Sequence, residues 1–230
     1  MGTGLEMKVT RRVLTATALC LSLLSACGND SQSVENVAAV KGAKLYALHL
    51  LTGGKVATVD NATVRAGLEE GNQPIWGVKV DKLHYINFMA PYGINGPVQT
   101  WASNTYESIS LKDDILIATR GFGPDIMSAI VPSLSQVRSA RGLFHRVYYY
   151  LDGADQPQRV DFDCSFAPAA SETVAVLDRT YAAHRVNESC INAQSSFENA
   201  YWFDPSGSLR QSIQYVSSQA ASMQLQRVID

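Results

Sequence analysis

The greatest chemical potential in the chain lies in "ATRGFGPDIMSA", Ala118 to Ala129, where Arg120, a Gly121-x-Gly123 pair and Asp125 directly follow the apolar run "DILIA". A cation, a carboxylate and glycines that let backbone amides approach a ligand are the parts of a phosphate loop or a small polar active site. The phosphate reading fails on detail. A Gly-x4-Gly-Lys-Ser/Thr loop needs a lysine that "GFGPDI" lacks, and Pro124 stands where an amide is required. In the dinucleotide fingerprint the third glycine would fall at Ile126. What remains is conformational: Gly121 and Gly123 permit positive φ where a strand ends, and Pro124 suits the first turn of a short helix, "PDIMSAIV". Arg120 shares a strand side with Leu116 and Ala118. If that side is the core, its guanidinium needs a carboxylate, either Asp125 or Glu188, with Glu188 favoured because it shares a side with Val186 and Cys190. A ligand site around Arg120 is the alternative.

Other reactive residues are dispersed. Asp161-x-Asp163 resembles the metal-binding DxD of glycosyltransferases, but in "RVDFDCSF" both acids fall on the polar side of a strand, opposite Val160, Phe162, Cys164 and Phe166. No metal is expected there. The chain has no G-x-S-x-G, no H-E-x-x-H and no Cys-His zinc spacing, so no catalytic residue and no cofactor is assigned. His49, His84, His145 and His184 are scattered, and His145, spaced with Leu143, Val147, Tyr149 and Leu151, reads as a hydrogen-bonded core residue. Trp76, Trp101, Trp202 and the run Tyr148 to Tyr150 are candidates for stacking on sugar rings, if they line a groove. Strand aromatics more often serve as core or cross-strand partners.

The N-terminus carries the most specific signal. Lys8, Arg11 and Arg12 precede the short apolar stretch "VLTATALCLSLL", and "LSAC" ending at Cys27 resembles the bacterial lipobox, whose cysteine is lipidated and becomes the new N-terminus. Cys20 is a poor rival because Leu19 stands where a small residue is needed. Two or three acyl chains, at about 0.8 kcal/mol per buried CH₂, anchor a protein stably. Residues 1–26 are therefore expected to be a signal peptide and 27–33 a lipidated tether, with 34–230 as a single β-rich periplasmic domain. "GND" after Cys27 has no aspartate directly following, which favours the outer membrane. Cleavage lowers Lys+Arg from 19 by three and Asp+Glu from 21 by one, leaving a net charge of −4. That balance gives no electrostatic case for nucleic acid as a partner. Cys164 and Cys190 are the remaining pair, and in an oxidising periplasm they read as a disulfide.

The elements that must position these residues are mostly strands. "SVENVAAVKGAKLYALHLL" spaces Val34, Val37, Leu45 and Leu48 as an N-terminal helix. From "PIWGVKV" to "SMQLQRVI" about twelve runs rich in Val, Ile, Tyr, Phe and Trp follow, several joined by hairpin-sized turns such as "KDD" and "DPSG". The expected fold is mainly β: a large curled antiparallel sheet or barrel-like meander, with the N-terminal helix and a short helix after Gly123.

Several strings together, "PYGINGPVQTW", "ILIATRGFGPDIMSA", the Cys164 segment, "NESC" and "ENAYWFDPSGSLRQSIQYV", resemble the YjbF/GfcB lipoproteins, encoded with exopolysaccharide and group 4 capsule genes. The likeness runs from about Ile75 to the C-terminus. It implies a β-rich outer-membrane lipoprotein without established enzymatic activity, serving polysaccharide production or export, with the membrane, polysaccharide and other export-system proteins as partners. Where the family tends to carry Pro and Gly after the penultimate strand, this chain has "SSQAAS", which puts the final turn in question. The alternative from another functional class is a periplasmic polysaccharide-modifying enzyme, which would need converging carboxylates in a cleft.

Overall fold

The computed structural model describes residues 60–230. The expected signal peptide, the lipidation at Cys27, the tether and the helix expected over residues 34–51 lie outside the described residues. Twelve strands form one antiparallel sheet: β1 (Ile75–Val80), β2 (Tyr85–Asn95), β3 (Val98–Ala102), β4 (Ser108–Lys112), β5 (Ile115–Arg120), β6 (Ser128–Ile130), β7 (Leu143–Leu151), β8 (Pro157–Val176), β9 (Arg179–Ile191), β10 (Ser196–Phe203), β11 (Leu209–Ser217) and β12 (Ala221–Ile229). Two helices accompany them, α1 (Asn61–Glu69) and α2 (Leu134–Ser139).

The spatial order β5-β4-β3-β2-β1-β12-β11-β10-β9-β8-β7-β6 joins two meanders through the β1–β12 pair and leaves β5 and β6 as the two edges. The chain itself bridges those edges. Thr119 N donates to Ile126 O at 3.0 Å, and Met127 N donates to Tyr149 O at 2.8 Å, so the sheet curls into a nearly closed barrel. Closure satisfies strand edges that would otherwise present unpaired amides and carbonyls.

Alternation decides what fills the barrel. Trp76, Val78, Met89, Trp101, Leu116 and Tyr148 are among the side chains of the interior core. Because the strands alternate in direction, the turns at 81–84, 103–107, 121–127, 152–156, 192–195 and 218–220 gather at one end, here called the mouth. At the other end α2 lays Val137 against Ile115, Phe166, Tyr201 and Phe203. A capping box starts that helix, with Gln136 N donating to Ser133 Oγ and Ser133 N donating to Gln136 Oε1.

A second layer covers part of the outer face. The far half of the β8–β9 hairpin and α1 bury Val64, Leu68, Val176, Ala183, Trp202 and Val228 together. Asp60 caps α1 by accepting from Thr63 N at 2.8 Å. The buried Arg65 fastens the layer, donating to Val176 O at 2.7 Å, to Val228 O and to Asp178.

Two expectations about elements change. The runs "QRVDFDCSF" and "ETVAV" are one strand, β8, with an irregularity between Pro168 and Ser171. The segment after Gly123 is not helical, because its main chain is committed to closing the sheet, and β6 follows instead. The helix appears later, as α2, behind the Ser133-x-x-Gln136 signature.

Candidate functional site

The glycine-rich corner is the seam of the barrel. Asp125 accepts from Gly121 N at 2.8 Å, Phe122 N at 3.1 Å and Thr119 Oγ1 at 2.7 Å, which folds the chain back on itself. Gly121 has φ +91° and lies so close to β4 that an added Cβ would meet Glu107 Cγ at 3.0 Å. Phe122 is the anchor, 2% exposed, with its ring edge-on to Tyr85 at 5.1 Å. The Asp125 carboxylate therefore serves the turn, and the mouth around it is the place where a ligand could meet the barrel.

The mouth has a rim and a cleft. On the rim, Glu107 accepts from Ser103 Oγ at 2.5 Å, Thr105 Oγ1 at 2.5 Å and Tyr85 OH at 3.1 Å, and Asn87 donates to Asn104 Oδ1 and Thr105 Oγ1. Burial raises the pKa of Glu107, but the hydroxyl bonds outweigh it and hold the carboxyl below its usual range. Burial also pushes the Tyr85 phenol up, so it remains a donor. Across the seam is a cleft of about 210 Å³ lined by Pro124, Tyr150, Phe162, Ser195, Tyr215 and Ser217, among others. Tyr215 stacks on Phe197 at 4.3 Å, and Tyr150 OH reaches Val216 O at 2.7 Å. The result is an aromatic floor with hydroxyl edges. A larger depression of about 690 Å³ on the outer wall, bordered by Leu143, Asp163, Ile191 and Glu198, is open, and its Asp163 is already bonded to His145.

Several residues singled out in the sequence stand elsewhere than expected. Arg120 is exposed and donates to Thr119 O and Ile126 O; it does not pair with Glu188. The cause is a bulge: Ser110 faces Ala118 while Leu111 faces Leu116, so Ile117 is extra and Thr119, not Arg120, turns inward. Glu188 is fully buried, and its partner is Arg146 of β7, through Nη2 to Oε2 at 2.8 Å and Nε to Oε1 at 3.1 Å. Asn199 Nδ2 and Tyr201 OH complete the carboxylate's shell at 2.7 and 2.8 Å. Burial pushes the nearby Tyr148 phenol up to about 12, so it stays neutral beside the pair.

The same inward set that holds Arg146 and Tyr148 puts His145 on the outer wall. There its two ring nitrogens meet Asp163 at 2.9 Å and Asp161 at 2.8 Å, with Arg159 on Asp161. Those hydrogen bonds raise the His145 pKa, making this an exposed ion cluster in place of a core histidine. Cys164 and Cys190 face each other across β8 and β9 and form a disulfide. The three tryptophans are not a sugar platform. Trp76 and Trp101 lie inside the barrel, edge to face at 6.2 Å, with indole N–H groups that have no acceptor among the described residues. Trp202 is under the outer layer, where it donates to Glu172, with Arg185 over its ring at 5.0 Å.

A family model described as group 4 capsule polysaccharide lipoprotein gfcB, YjbF matches residues 50–228. The chain belongs to the YjbF family. Membership carries a polysaccharide-related role and a cell-envelope setting. No curated protein matches. Among solved structures, the hypothetical lipoprotein YmcC from Escherichia coli (K12) is similar, with a TM-score of 0.63 and 14% identity, covering 82% of this chain and 93% of that one. At that identity the likeness concerns the fold. The strings that carry the YjbF resemblance now have physical positions: "TRGFGPDI" is the seam, and the segments around Cys164 and "NESC" form the disulfide-bonded wall. The departure at "SSQAAS" is accommodated, since Ala220 N donates to Ser217 Oγ at 3.2 Å and Ala221 takes φ 58° to turn β11 into β12.

Proposed function

We propose that this YjbF-family chain is a non-catalytic accessory of exopolysaccharide or capsule production and export, held by lipid at Cys27 on the periplasmic face of the outer membrane. The observation that carries the reading is the state of the mouth's acids. Of the acids in the mouth's turns, Glu107, Asp125 and Asp152 are each engaged by donors of their own turns, Asp81 pairs with Lys79 and Asp155 is exposed, and the hydrogen bonds on Glu107 and Asp152 hold their carboxyls low. A glycosidase-type site needs one carboxyl with a raised pKa facing a second carboxylate across the scissile bond. An aromatic, hydroxyl-edged cleft beside saturated acids suits holding a polymer better than cutting it. Deleting the gene should lower extracellular polysaccharide while intracellular precursor synthesis continues, and Glu107→Gln or Asp152→Asn should leave the polymer unchanged. If either substitution, in a folded and anchored protein, altered the length or substituents of the polymer, the chain would be a polysaccharide-modifying enzyme.

A further inference from the structure

The β3–β4 turn breaks a local rule at one residue. Ala102 pairs with Ser108 and Ser103 N donates to Glu107 O at 2.9 Å, leaving a three-residue loop of Asn104, Thr105 and Tyr106. Such loops end on a left-handed residue, which is normally glycine because a side chain there is strained. Tyr106 occupies that position with φ 74°. Most other non-glycine residues with positive φ, Asn72, His84, Asp113, Asp114 and Asp155, are of types that enter the left-handed region more readily, while Leu177 packs into the outer core and Ala140 ends α2 in the core beneath the barrel. Tyr106 is 89% exposed, so its ring does nothing for packing.

The turn that holds Tyr106 is rigid. Glu107 gathers Ser103, Thr105 and Tyr85, and Asn87 ties Asn104 and Thr105 to β2. A strained backbone fixed by its surroundings, presenting a flat ring to solvent among neutral amides and hydroxyls, has the attributes of a binding platform. The chemistry it fits is a pyranose: the apolar face of the sugar lies on the ring, and a hydroxyl can meet the Asn104 Nδ2 group, which the turn does not use. An anionic ligand would meet the ionised Glu107 beside it.

We infer that Tyr106 is a stacking platform for a sugar ring of the polysaccharide, with the side-chain amide of Asn104, two residues before it in the loop, as its hydrogen-bonding neighbour. This rests on the polysaccharide reading above. The test uses the full-length protein in neutral detergent and, as probe, extracellular polysaccharide purified from the native bacterium and cast into a native gel. Wild type and Tyr106→Phe should be retarded alike. Tyr106→Ala and Tyr106→Gly should bind about tenfold more weakly, the worth of one lost aromatic contact. Tyr106→Gly should also melt no lower than wild type, since glycine relieves the strained φ. Unchanged retardation of Tyr106→Ala would overturn the inference. So would a wild type that is not retarded although deletion of its gene depletes extracellular polymer, a result that would leave the export reading standing.

Discussion

Replacing Arg146 by methionine tests the interior of the barrel most directly. The guanidinium gives Glu188 bonds of 2.8, 2.9 and 3.1 Å, and both side chains are at most 1% exposed. Methionine fills much of the same volume but leaves the carboxylate with only Asn199 and Tyr201 as donors. Breaking a buried pair from one side costs about 3–5 kcal/mol. For a domain of this size, at roughly 2–4 °C per kcal/mol, Tm should fall by about 6–20 °C. Removing both charges, in Arg146→Met with Glu188→Leu, should restore stability to within about 2 kcal/mol of wild type, since well-packed apolar substitutes for buried ion pairs are often neutral or better. Thermal and urea denaturation followed by circular dichroism, with the disulfide kept oxidised, would measure all three proteins. If Arg146→Met lowered Tm by less than 2 °C, or the double variant were no more stable than the single one, the ion pair would not be the internal constraint described above.

Labelled palmitate should enter the wild type and not Cys27→Ala; a labelled, membrane-bound variant would remove the lipobox. Thiol alkylation without reductant should leave Cys164 and Cys190 unmodified, and converting both to alanine should cost about 3 kcal/mol, as expected for a closed loop spanning 26 residues. Gly121→Ala should lower Tm by several degrees because a Cβ meets Glu107 at φ +91°; an unchanged melt would show that the seam tolerates a side chain. Ser206, Ser208 and Arg210 outweigh burial and hold the Asp204 carboxyl near a pKa of about 2, below its unfolded value of 3.8. Its stabilisation, about 1–2 kcal/mol after solvent screening, is therefore complete above about pH 4 and is lost as pH falls toward 2. Asp204→Asn should flatten the acid limb of a stability-versus-pH curve over that window.

Much of the barrel was legible because strand chemistry repeats with period two. In "RVDFDCSF" polar and apolar residues alternate, and the inward set Phe162, Cys164 and Phe166 follows directly. In "LFHRVYYYL" both faces are largely apolar, so parity gave no orientation; Arg146 went unnoticed and His145 was placed inside. The Arg120 assignment failed because Ile117 is an extra residue in β5, and a bulge reverses every face beyond it without altering composition. The tryptophans were misassigned as a possible platform because burial of both faces, by the barrel on one side and the α1 layer on the other, depends on long-range contacts. The signal for Tyr106 was present in "SNTYES", an aromatic where a short hairpin calls for glycine, but it has meaning only once β3 and β4 are known to pair.

The pairing of β1 with β12 makes the first and last strands of the barrel neighbours. Until residues 221–229 are available, β1 lacks one side of its hydrogen bonding, Trp76 and Val78 lack Met223 and Leu225, and the Arg65 clasp lacks Val228 O. The sheet therefore cannot close until β12 is present. Removing β12 would open the barrel at its middle, between the two meanders, and not at a frayed edge.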